Sequence, residues 1–302
     1  MASERVPLQS ALLVAPEIEG GKRAAPYFLL LLHPMEPVSE PNPHAKRVTV
    51  LGKVADWQWL MGLTVAIMGI LIAIRPGFNE AFLAMIPGLG ITLKATAAAF
   101  IISSVLGLAF GLGRVSKVRP IKALASYYIE FVRGVPFIVW IFFIALFIVP
   151  RGVNLLPESW DIGIRDFKPW WRGTAALSLF YAAFIAEVVR AGIQSVDPGQ
   201  VEAGRSVGLS ERQVTRRVVL PQAIRNVFPA FANDLIALFK DTALLSVIAV
   251  SEITQLARLY QGVSFKILET FLILMVIYVV LTFILSSILN YIEKRIAIPG
   301  RL

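Results

Sequence analysis

Residues 271–292 read FLILMVIYVVLTFILSSILNYI, without a single charged side chain. As a helix rising about 1.5 Å per residue, this run is long enough for the roughly 30 Å of hydrocarbon in a bilayer, and in lipid a helix satisfies its own backbone groups. Comparable apolar runs recur along the chain. The composition agrees: 57% of residues are hydrophobic and 16% charged, against about 25% charged in a soluble domain. The expected fold is an all-α integral membrane protein with spans at 57–74, 89–112, 123–149, 174–189, 228–250 and 267–292.

The segments between the runs sharpen this reading. Residues 1–56 mix Pro, Glu and Lys without a sustained period and read as a flexible tail. Within it, PYFLLLLH after Lys22 and Arg23 imitates a signal peptide, but its apolar core is short and no small-residue cleavage site follows. Trp57 and Trp59 suit an interfacial edge. In the second run Ala99, Ser103, Gly107 and Gly111 recur every fourth position, a stripe of small residues that lets another helix approach. Pro136 is expected to kink the third run. A loop is expected over 150–173, with Trp160, Trp170 and Trp171 at a membrane surface, and a short one over 252–266. The fifth run is interrupted by Asn233, Asp234, Lys240 and Asp241, which in lipid must face a cavity or protein partners.

Between the fourth and fifth runs lies a polar island, VEAGRSVGLSERQVTRRVVLP, at 201–221. Asp197 and Pro198 form a helix start, with Gln200 as a capping-box partner, so a short helix is expected over 198–207. Gly208 can take the left-handed conformation that ends it. Ser210 with Gln213 offers a second capping box, and Pro221 is expected to stop the helix that follows. Two short helices around a Gly-centred turn fit either a DNA-reading helix-turn-helix or a compact knob between membrane spans. Arg205, Arg212, Arg216 and Arg217 against Asp197, Glu202 and Glu211 make a weak footprint for duplex DNA.

Topology places the island. The net charge of +9 and the 29 Lys and Arg matter here through their position relative to the spans. If the spans alternate, most of them fall on the island's side. Opposite lie only Arg75, Arg151, Arg165, Lys168, Arg172, Arg258 and Lys266, with Lys94, Arg133 and Lys240 inside spans. The positive-inside rule then puts the island and both chain ends in the cytoplasm. The sequence has no cysteine, and its two histidines, His33 and His44, precede the first span. Disulfides, cysteine-ligated metals and a histidine-based centre in the spans are therefore excluded, and no catalytic or metal-ligating residue is expected.

Glu202-Ala203-Gly204, then Gly208, then Val218-Val219-Leu220-Pro221 resemble the EAA loop of bacterial ABC importer permeases, departing from its pattern with Gly204 for Ala and Val218 for Ile. GLGITLKAT, YIEFVRGVPF, AEVVRAGIQSVDPGQ, LPQAIRNVFPAF and KDTALLSVIAVSEI resemble, in this order, the polar amino-acid (histidine/glutamine permease-like) subgroup over roughly 88–295. The resemblance implies a five-span permease core at 88–295, with coupling helices at 197–221, one extra N-terminal membrane helix at 57–75, and tails at 1–56 and 296–302.

It further implies a multi-pass permease subunit of the bacterial inner membrane, moving amino acids into the cytoplasm by alternating access. Its expected partners are cytoplasmic ATP-binding cassette ATPase subunits, a second identical or homologous permease subunit, an extracytoplasmic amino-acid-binding protein and the amino-acid substrate; nucleic acid is not among them. The chain has no G-x-x-x-x-G-K-[ST] phosphate loop, so ATP and Mg are assigned to the ATPase partner and no cofactor to this chain. Glu202, Ala203, Gly204, Arg205, Gly208, Leu220 and Pro221 are the expected coupling residues, with Glu202 near the start of its helix, where the dipole favours it. Candidates for the substrate pathway are Arg133, Glu187, Lys240, Asp241 and Thr242, since an amino acid needs partners for both its ammonium and its carboxylate. Glu130 with Arg133, and Glu187 with Arg190, are equally consistent with structural pairs at span ends. An ion-coupled secondary transporter or channel with Lys240 and Asp241 as a relay is the alternative function.

Overall fold

The computed structural model describes residues 50–157 and 163–296, and the architecture below lies within Gln58–Leu302 apart from the first turns of α1. Among the described residues all regular structure is helical. Helix α1 is Val50–Ile74, so residues 50–56, read above as the end of the tail, are helical; residues 1–49 and 297–302 lie outside the described residues. α2 (Pro76–Met85) and α3 (Pro87–Arg114) each carry a proline in the first turn, where its missing N–H costs no helical bond. α4 is Arg119–Gly134, α5 Phe137–Phe143, α6 Val149–Asn154 and α7 Pro169–Gln194. α8 (Pro198–Ser206) and α9 (Glu211–Val214) form the knob, α10 is Leu220–Asp241, and α11 (Ile253–Ser264) and α12 (Ile267–Ile296) close the chain.

Among the described residues four helical stretches are long and apolar enough to cross a membrane: Pro76–Arg114, Phe137–Asn154, Pro169–Gln194 and Ile267–Ile296. Trp59–Ile74 is shorter. α10 has the length but carries Arg225, Asp234, Lys240 and Asp241.

Three prolines gave outcomes different from expectation. The run at 123–149 is not one kinked helix: α4 stops at Gly134, Val135 is extended (φ −98°, ψ 133°), and Pro136 begins a separate helix. A proline ring pushes the preceding residue out of the helical region, which explains the break. Pro150 and Pro221 do not stop their helices. Each follows a π turn, Ile144–Ile148 and Thr215–Val219, in which carbonyls bond five residues on. The wider turn absorbs the donor that each proline lacks. The knob's second helix consequently runs through Pro221 into α10, and the segment expected as a loop from Pro150 stays helical to Asn154.

The expected short loop at 252–266 is also corrected: most of it is α11, capped by the Glu252 carboxylate, which accepts from the Thr254 and Gln255 amides at 2.8 and 2.6 Å. Before it, α10 tightens into a 3₁₀ segment, Thr242–Ile248, that ends on Ala249 at φ 56°.

The core sits where α7 meets α3, α5 and α10. Ala99, Ser103, Gly107 and Gly111 are all buried on α3, as their spacing predicts. A Cβ on Gly107 would lie 2.6 Å from Ile185 Cγ2, and one on Gly111 2.8 Å from the Ala186 carbonyl, so the small residues permit the α3–α7 approach. Trp140 Nε1 donates to the Ala176 carbonyl at 3.1 Å, and Tyr128 OH to that of Leu179. A second cluster joins Met68 of α1 to Met85, Ile253 and Ile273 of α2, α11 and α12.

Candidate functional site: a capped helical knob between α7 and α10

The knob is built from local rules. Asp197 accepts from the Gly199 amide at 2.7 Å and opens α8. Gly208 has φ 83°, and the adjoining Leu209 amide returns to the Gly204 carbonyl at 3.2 Å. The Ser210 amide donates to Gln213 Oε1 at 2.9 Å in the capping box that opens α9. Arg205 then clamps the two helices together through Nε and a terminal nitrogen to the two Glu211 oxygens at 2.7 and 3.1 Å. Those hydrogen bonds hold the Glu211 carboxyl below the usual carboxylate range and raise Arg205.

Gly204 is the buried point of α8. A Cβ there would meet Val214 Cγ2 at 3.4 Å, Val218 Cγ2 at 3.5 Å and Leu209 Cδ1 at 3.7 Å, so it faces the knob's own second helix. The opposite surface is open: Glu202, Ala203 and Ser206 are exposed, and Val207 is 78% exposed. Glu202 is the fifth residue of α8 and the first turn holds no acid. The helix dipole therefore gives it little, because that effect fades within one turn. Leu220 and Pro221, expected in the knob, belong to the first turn of α10, and both are exposed.

The knob is held rigidly at both ends. Asn226 Nδ2 of α10 donates to Ser195 Oγ, just past α7, at 2.9 Å. Gly192 lets α10 so close that a Cβ there would lie 2.0 Å from Val227 Cγ2. At the same end of α7, Arg114 reaches Glu187 Oε2 at 3.0 Å and Glu130 Oε1 at 2.6 Å, while Arg190 grips Glu187 and Gln194. One charge network thus joins α3, α4 and α7.

The substrate-pathway candidates fall into two groups. Glu187 is spoken for by Arg114 and Arg190; Arg133 makes no bond to Glu130 and lies over the Phe184 ring at 5.7 Å. About 9 Å away along α7, by helical rise, Tyr181 OH donates to Asp241 Oδ2 at 2.7 Å. Thr242 is fully buried and its hydroxyl donates to the Phe239 carbonyl, whereas Lys240 is exposed. Asp234 Oδ2 is buried without a hydrogen-bond partner. Sequence reasoning missed Arg114 and Tyr181. In sequence Arg114 is one of four cations, with Lys117, Arg119 and Lys122, between the second and third runs, and its partner Glu187 is 73 positions away. Tyr181 stands among Phe180 and Phe184, an aromatic run whose composition signals packing.

Residues 103–298 match the family described as binding-protein-dependent transport system inner membrane component. The chain is 37% identical over 223 residues to the probable amino-acid permease protein YxeN of Bacillus subtilis, covering 74% of this chain and 95% of that protein. It is 34% identical over 212 residues to the arginine transport system permease protein ArtQ of the same organism, covering 70% and 92%. Among solved structures, an amino acid ABC transporter crystallised with histidines superposes with a TM-score of 0.63 at 36% identity, covering 72% of this chain and 96% of that chain.

Proposed function

The chain belongs to the family of binding-protein-dependent transport system inner membrane components, and from that premise we propose that it is a permease subunit importing amino acids, with α8 as its docking element for a cytoplasmic ATPase. The substrate class rests on the relatives that are amino-acid permeases.

The observation that carries the docking role is the knob's construction. Two caps, an Arg205–Glu211 clamp and the burial of Gly204 fix α8 while leaving its outer face exposed. A helix so held moves as a body with the helices on either side of it. Closure of two ATPase subunits gripping α8 would be delivered to α7 and α10 as rigid-body motion, and through Arg114 to α3 and α4. ATP and Mg would be bound by that partner. A second permease subunit and an extracytoplasmic binding protein complete the machine, with the knob and both chain ends in the cytoplasm.

Of the pathway candidates, Glu187 and Thr242 already spend their polar groups within the chain. Asp241 spends Oδ2 on Tyr181 but keeps its other oxygen, which with the partnerless oxygen of Asp234 can meet an ammonium, and Arg133 and Lys240 can meet a carboxylate. Reconstitution of the chain with its ATPase and binding protein tests the assignment. Labelled amino-acid uptake should require ATP. Uptake driven by a proton or sodium gradient without the ATPase would favour a secondary transporter instead.

A further inference from the structure

Three arginines on the knob are not spent on carboxylates. Arg114, Arg190 and Arg205 each clasp a glutamate, but Arg212, Arg216 and Arg217 make no ion pair among the described residues. Together with Gln213 they line an open cavity of about 500 Å³. Gln213 Oε1 is held by Ser210, leaving its amide N–H₂ as a further donor. A cavity lined by three arginines without ion pairs and by a glutamine whose N–H₂ is left to donate suits an anion with several oxygens, a phosphate above all.

What lies beyond the cavity selects the source of that phosphate. Helix α9 continues through the π turn into α10 without a break. One and two turns beyond Arg216, Leu220 and Ile224 are 49% and 53% exposed. Going up this face, cationic side chains give way to bare apolar ones, the order in which a phospholipid presents headgroup and acyl chain. A soluble acidic partner would match the charges and leave Leu220 and Ile224 uncovered.

We propose that Arg212, Arg216 and Arg217 form a site for the phosphate headgroup of an anionic phospholipid in the cytoplasmic leaflet, beside the docking helix. The site rests on the cytoplasmic placement of the knob given above. A lipid bound there would tie the knob to the membrane surface and make its freedom to move depend on leaflet charge and ionic strength.

The test is native mass spectrometry of the detergent-solubilised full chain with dioleoylphosphatidylglycerol or dioleoylphosphatidylcholine. The wild type is expected to retain phosphatidylglycerol at about tenfold lower lipid concentration than phosphatidylcholine, the cationic side chains favouring the anionic headgroup. Arg212→Gln/Arg216→Gln/Arg217→Gln should abolish that preference, and the corresponding triple Lys variant, with the charge kept and the fold less disturbed, should retain part of it. Lys117→Gln/Lys122→Gln, which removes two other cytoplasmic cations, should leave it unchanged. Four results overturn the proposal: equal retention by the triple Gln variant, equal loss in the Lys117/Lys122 control, displacement of the lipid by millimolar inorganic phosphate, or loss of ATPase assembly in the triple Gln variant with lipid retention intact. Orientation is read separately. The chain has no cysteine, so Val207→Cys in intact cells should react with an impermeant maleimide only after permeabilisation, and labelling without it would refute the cytoplasmic placement itself.

Discussion

Gly204→Ala should stabilise the knob. Gly204 lies in the interior of α8 with helical geometry, where glycine costs about 1 kcal/mol relative to alanine. The added methyl would enter a space bounded by Val214 Cγ2 at 3.4 Å, Val218 Cγ2 at 3.5 Å and Leu209 Cδ1 at 3.7 Å, ordinary contact distances that demand no displacement. Burying one methyl adds about 0.8 kcal/mol, so local opening of α8 should become harder by roughly 1–2 kcal/mol. Hydrogen exchange of the amides at 203–207 should slow by about tenfold, since 1.4 kcal/mol is a factor of ten in the opening equilibrium. Because the methyl points at the knob's own second helix, ATPase stimulation should be unchanged. Faster exchange, or a loss of stimulation with the knob still folded, would refute the packing assigned to this position.

Other substitutions have the opposite sign. Gly192→Ala would place a Cβ 2.0 Å from Val227 Cγ2 and 3.3 Å from the Ala223 carbonyl; it should lower stability by about 1–3 kcal/mol, seen as a reduced unfolding midpoint in detergent. Gly208→Pro cannot reproduce φ 83°, because the ring fixes φ near −65°; membrane insertion should survive while stimulated ATP hydrolysis is lost, and unchanged stimulation would separate the turn from coupling. The folded Glu211 carboxyl titrates below its unfolded value, so its clamp to Arg205 contributes in full above the ordinary carboxylate range and is lost as pH falls through the lowered value. Protection of α8 in wild type and Arg205→Gln should therefore differ at neutral pH and converge once the pH has fallen well below the ordinary carboxylate range; a difference that stays undiminished through that fall would exclude the ion pair as its cause.

The knob was legible because its signals are local. Asp197 with Pro198, Gly208, and Ser210 with Gln213 each act within one turn, and the structure shows each where its spacing put it. The small-residue stripe from Ala99 to Gly111 was legible for a related reason, since one helix face repeats every fourth residue. The prolines were not. Pro136 breaks a helix whereas Pro150 and Pro221 are carried through one, and the difference lies in π turns that no residue type announces. Helix α11 was hidden by averaging: its buried Ile253 and Ala257 alternate with polar neighbours, so hydropathy alone read a loop although Glu252 stood ready as its cap. The Arg114 network and the Tyr181–Asp241 bond join residues 73 and 60 positions apart, and only the packing of α7 against its neighbours brings them together.

The central claim, that the free face of α8 is where the ATPase docks, is tested most directly by photo-crosslinking from that face. With benzoylphenylalanine in place of Ala203, and separately in place of Leu259 on the exposed side of α11, the chain would be co-expressed with its ATPase and irradiated in cells. The account predicts an adduct with the ATPase from position 203 and none from 259; an adduct from 259, or none from 203 in an assembled complex that still hydrolyses ATP, would contradict it.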